Sequence, residues 1–121
     1  MKKLLIIGLI FGFSVNLFAQ NSESQNSNTI DTLSFKVMGL CGMCKDRIEN
    51  AALIKGVKEA KWDKNTKILE LVIDKGKANI EDIHSSIAKA GHDTSLKKGD
   101  DKAYSKLPKC CKYREKDAVT H

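Results

Sequence analysis

The chain has a single proline, Pro108, and aromatic residues make up 6% of it. Without an aromatic platform for stacking bases, its surplus of basic residues does not read as a nucleic-acid surface. It has no glycine-rich phosphate loop, no nucleophile–base pair and no paired acid/base constellation, which argues against an enzyme. No internal repeat is visible.

The one long apolar run, Leu4 to Phe18, is broken only by Ser14 and Asn16. It follows the basic start Met1-Lys2-Lys3 and precedes Ala19-Gln20, a suitable cleavage point. That is the layout of a signal peptide over residues 1–20, too short and wrongly flanked for a stable membrane span. The expectation is export to the periplasm or another extracytoplasmic space, with an uncleaved anchor as the alternative. No cysteine follows the cleavage point, so nothing suggests a lipid on the mature N-terminus. Residues 21–31 begin with a run of Asn, Ser, Glu and Gln that cannot bury itself, and read as a disordered spacer. Cleavage would remove Lys2 and Lys3 and no acid, lowering the formal charge of +6 to +4.

Beyond the spacer the periodicities alternate. Leu33, Phe35 and Val37 share one face of a strand over 32–37. From Cys44, Ile48, Ala51 and Ala52 form a helical stripe that Gly56 closes. Residues 57–62 and 67–73 read as two strands joined by a turn at Asp63–Thr66, with Leu69, Leu71 and Ile73 inward. Asn79 caps a second helix carrying Ile80, Ile83, Ile87 and Ala90, and Gly91 ends it. Residues 92–96 are a weak last strand. The order βαββαβ over residues 32–97 predicts an α+β, ferredoxin-like sandwich: a four-stranded antiparallel sheet with two helices on one face. Residues 98–121 are a basic tail. Lys97 to Lys116 carries eight Lys/Arg against Asp100, Asp101 and Glu115, and reads as a solvated segment.

Chemistry concentrates in the cysteines. Cys41 and Cys44 stand two residues apart where the first strand enters the first helix, and Cys110 and Cys111 are adjacent in the tail. A helix N-terminus favours the thiolate, the form that binds soft metals and attacks disulfides. The motif therefore allows soft-metal binding or thiol–disulfide exchange. A disulfide scaffold is a third reading, since exported cysteines come in even numbers, and a cross-link between the pairs would staple the tail over the loop. Against a thioredoxin-like oxidoreductase, Leu40 rather than Trp precedes Cys41. The facing cis-proline loop of such enzymes has no counterpart, because Pro108 lies in the tail.

The segment Leu33 to Leu96 resembles the heavy-metal-associated domain family of copper chaperones, metal-ATPase N-terminal modules and periplasmic mercury-binding proteins. The resemblance rests on the CxxC at Cys41 and Cys44, the βαββαβ order, and Ala90-Gly91-His92 closing the second helix. Met38-Gly39-Leu40 stands where the family usually has Gly-Met-Thr, and Met43 lies between the cysteines. The resemblance implies Cu(I) held by Cys41 and Cys44, with Hg(II), Zn(II) or Cd(II) as other thiophilic cargoes. It implies transfer by ligand exchange to a metal-transporting ATPase, an efflux system or another acceptor, and allows a metal-bridged homodimer. A mercury scavenger would use the same fold. Either Met38 or Met43 is expected to tuck under the loop, and Lys45 to balance the thiolate charge. His92 is a candidate third ligand or supporting donor, whereas His84 reads as an ordinary, partly exposed helix residue. Cys110 and Cys111 are candidates to fold back and raise the coordination number.

Overall fold

In a computed structural model the described residues are 29–120, so the signal segment and most of the spacer lie outside them. β1 (Ile30–Lys36) leads through the cysteine loop into α1 (Gly42–Ala52). Then follow β2 (Val57–Trp62), β3 (Ile68–Asp74), α2 (Ile80–Lys89) and a short α3 (Asp101–Ser105). A single 3₁₀ turn, Lys109–Cys111, comes last. Ile30 and Asp31, read from sequence as spacer, are the first residues of β1.

β3 is the central strand, paired antiparallel with β1 on one side and β2 on the other. Its alternation explains the position: Leu69, Leu71 and Ile73 are buried, while Glu70 is exposed on the opposite face. α1 and α2 pack against each other through Ile48, Ala52, Ile83 and Ile87, all fully buried. Asn79 caps α2 by accepting the Asp82 N–H at 3.2 Å, and Gly91 leaves the helix with φ +99, a conformation that favours glycine.

The expected fourth strand is not formed; among the described residues the sheet has three. Met38 N–H donates to Asp93 O at 2.9 Å and Ser95 N–H to Lys36 O at 3.0 Å, leaving one isolated bridge between Val37 and Thr94. The chain then turns, because Thr94 Oγ1 accepts the N–H of both Leu96 and Lys97, and Thr94 N–H donates to Lys97 O at 2.7 Å. His84 is buried rather than partly exposed. It stacks on Phe35 at 3.9 Å and pairs through Nδ1 with Thr94 Oγ1 at 2.7 Å. Burial lowers its pKa.

The basic tail is not a solvated segment. Leu107, Cys111 and Tyr113 join the hydrophobic core. Tyr113 Oη donates to Gly91 O at 2.6 Å and accepts the Asp93 N–H at 2.9 Å. Arg114 reaches Asp93 at 2.7 Å and Asp101 at 2.8 Å, and lies over the Tyr104 ring at 4.3 Å. The apolar and aromatic residues among the lysines fasten the segment, and Lys112 helps by donating to Tyr104 O and Ser105 O, both at 2.8 Å.

Candidate metal centre

The cysteine loop is held from beneath by Trp62. The indole is buried and donates from Nε1 to Val37 O at 3.0 Å. A Cβ on Gly39 would lie 3.0 Å from both the Trp62 ring and Cys44 Cβ, so any side chain there would have to push one of them aside. Cys41 is the N-cap of α1, in extended conformation, so the helix starts at Gly42 rather than near Cys44. Its C=O accepts from Lys45 N–H at 3.0 Å.

Four sulfurs converge on this cap. Cys41 Sγ lies 3.5 Å from Cys44, 3.3 Å from Cys110 and 3.4 Å from Cys111, and all four are free thiols. The sulfurs of Cys41, Cys44 and Cys111 lie within 4.8 Å of one another, the one such potential ligand set of three or more among the described residues. Cys110 falls outside that set, partly exposed, with Met43 Sδ 3.8 Å away.

The tail covers the dithiol: Cys41 is 6% exposed and Cys44 and Cys111 are closed off entirely. Met43 is not tucked into the core but 53% exposed, whereas Met38 is partly buried against it. Lys45 is engaged elsewhere, with Glu49 and with Trp62 O. The cation beside the sulfurs is Arg47, whose Nη1 lies 3.6 Å from Cys111 Sγ.

Burial opposes ionisation of Cys41, yet its pKa falls to about 7. The Cys44 backbone N–H, followed by the thiols of Cys110, Cys111 and Cys44, outweighs the burial. Cys111 moves the other way, raised by burial and by its bonds to Cys44 and Cys41. Cys110 is raised first by its bond to Cys41 and then by desolvation. The metal-free cluster thus concentrates its first negative charge on Cys41, with neighbouring thiols as donors.

His92 is buried, not a surface loop residue, and lies outside the mutual sulfur set. Its Nδ1–H donates to Met38 O at 2.8 Å, and burial lowers its pKa to about 4 against the opposing effect of that bond. The neutral ring stacks on Tyr113 at 5.7 Å, and its Nε2 has no hydrogen-bond partner. It thereby ties the first residues of the cysteine loop to the segment that anchors the tail. Sequence reasoning missed Arg47, Trp62, Tyr113 and Arg114 as residues that shape the site. Tyr113 and Arg114, three and four residues beyond Cys110, were the available signal.

The three-stranded α+β body with a dithiol at a helix cap resembles the heavy-metal-associated domain. Two solved structures are similar to this chain. One, a protein from Bacillus anthracis str. Ames assigned as copper-ion-binding, is 28% identical, with a TM-score of 0.52 over 55% of this chain and 96% of that one. The other, a CopZ metallochaperone, is 26% identical, with a TM-score of 0.51 over 53% of this chain and 98% of that one. No family model and no curated protein sequence matches the chain.

Proposed function

We propose that this protein is an exported Cu(I)-binding protein that captures its ion at Cys41, Cys44 and Cys111 and passes it on by thiolate exchange. The observation that carries this reading is the convergence of three buried cysteine sulfurs on a helix N-terminus. The copper-ion-binding assignment of one of the similar proteins supports the choice of metal.

The donor geometry also bears on that choice. Metal–thiolate bonds of about 2.3 Å let two ligands of one ion stand at most about 4.6 Å apart. Cys41, Cys44 and Cys111 suit three-coordinate sulfur ligation, which Cu(I) accepts. Cys110 is not within 4.8 Å of all three, so a closed four-sulfur site of the kind structural Zn(II) prefers requires a rearrangement. The sulfurs of an acceptor, such as a metal-transporting ATPase or efflux component, would replace Cys111 as the tail lifts. The ion would then never be bare.

The test is anaerobic titration of the reduced protein with Cu(I), with X-ray absorption to count sulfur neighbours. Tight binding with three sulfur ligands in the inner site, lost in Cys41→Ser/Cys44→Ser, is the expected result. A reduced protein that ignores Cu(I) refutes the reading. The lowered Cys41 thiol favours a second reading, thiol–disulfide exchange. Insulin reduction that survives strict metal chelation would establish it.

A further inference from the structure

We infer that the chain holds a second, outer Cu(I) site, formed by Cys110 and Met43 and joined to the inner one through Cys41. This rests on the copper-binding reading above and extends it. Met43 lies between Cys41 and Cys44 in the chain, yet it is 53% exposed while both cysteines are buried. An exposed methionine contributes little to a core, but a thioether is a soft donor suited to Cu(I). Its Sδ lies 3.8 Å from Cys110 Sγ, within the span that two ligands of one soft ion can bridge.

Cys110 is the one cysteine of the four that is not buried. Its sulfur stands 3.3 Å from Cys41 but outside the inner set, so it is placed beside the inner ion's ligands without completing them. Cys41 is the hub, within 3.5 Å of the other three sulfurs. A thiolate has lone pairs enough to bridge two soft cations. Charge does not oppose such a pair: a Cu(I) that displaces the Cys110 proton releases it to solvent and leaves the cluster's charge unchanged, and Arg47 donates to a cluster sulfur at 3.6 Å.

The outer pair also solves the problem of access. With Cys41, Cys44 and Cys111 covered, an arriving ion meets Cys110 and Met43 first. From there Cys41 can accept it into the inner set by exchanging one sulfur at a time.

The experiment titrates the reduced full chain anaerobically with Cu(I) under chelator competition, alongside Cys110→Ser and Met43→Leu, with circular dichroism to confirm folding. Both altered side chains are at least partly exposed. Two ions per wild-type chain are expected, with copper–copper scattering in the X-ray absorption spectrum. Cys110→Ser should retain one ion with sulfur-only ligation, and Met43→Leu should weaken the second ion at least tenfold while leaving the first unchanged. A wild type that binds a single ion overturns the outer site and leaves the inner one standing. Two ions held equally well by both variants also overturn it. A chain that binds no Cu(I) removes the copper reading itself.

Discussion

Cys41 carries the electrostatics of the site, and its environment sets a measurable pH dependence. Four groups direct hydrogen bonds at its sulfur, and they bring the thiol from 9.0 to about 7 despite burial. In the reduced, metal-free protein, ultraviolet thiolate absorbance should rise by one step centred near pH 7, and Cys41→Ser should abolish that step. The folded pKa lies below the unfolded one, so this group's contribution to stability is present above about pH 9 and lost as pH falls through 7. Cys111 and Cys110 act in the opposite sense: their raised values withdraw stability as pH climbs past the ordinary thiol range. The stability of the reduced form should therefore increase from pH 7 towards 9 and fall beyond it. A thiolate titration with no step below pH 8 would contradict this account of Cys41.

At the scale of elements, residues 107–114 turn a loop dithiol into a closed cluster. Tyr113 is the pin: its hydroxyl donates to Gly91 O and accepts from Asp93, on the turn that would otherwise open the fourth strand. Tyr113→Phe removes these two bonds and the 3.2 Å contact to the Asp93 carboxylate, and leaves a buried carbonyl without its donor, at a cost of about 1–3 kcal/mol. Urea unfolding should show that loss, and Cys111 should react faster with a maleimide than in wild type. An unchanged Cys111 rate would mean that core packing alone holds the tail.

Much of the body was legible in the residues. Strand β3 and helix α2 with its Asn79 cap follow from period and punctuation, because those signals are local. The failures came from one local side-chain turn and from contacts distant in sequence. Residues 92–96 have strand-like composition, but Thr94 spends its hydroxyl on a turn. The tail looked solvated because its lysines outnumber its apolar residues, although Leu107, Cys111 and Tyr113 decide its fate. Cys41 and Cys44 could be read as ligands from their spacing. The fold-back of Cys110 and Cys111 onto them could be named as a candidate, but not the burial of the dithiol that comes with it.

For the whole molecule, the consequence is a coupling between metal and fold. Sulfurs from the α1 cap and from the 3₁₀ turn approach within 3.4 Å, so an ion bound there cross-links the two ends of the described chain. A ligand that prefers the folded state stabilises it by an amount set by its free concentration relative to Kd, about 2.7 kcal/mol at a hundredfold excess. Cu(I) should raise the thermal midpoint of the reduced protein and make the tail resistant to trypsin, which would otherwise find Lys109, Lys112 and Arg114. In Cys111→Ser, Cys41 and Cys44 remain able to bind, so the midpoint should still rise, but by less, and the tail should be cut with or without the ion. If Cu(I) protected the tail of Cys111→Ser as fully as that of wild type, the third sulfur would play no part in the closure. The tail would then be an ordinary piece of core that happens to carry two cysteines.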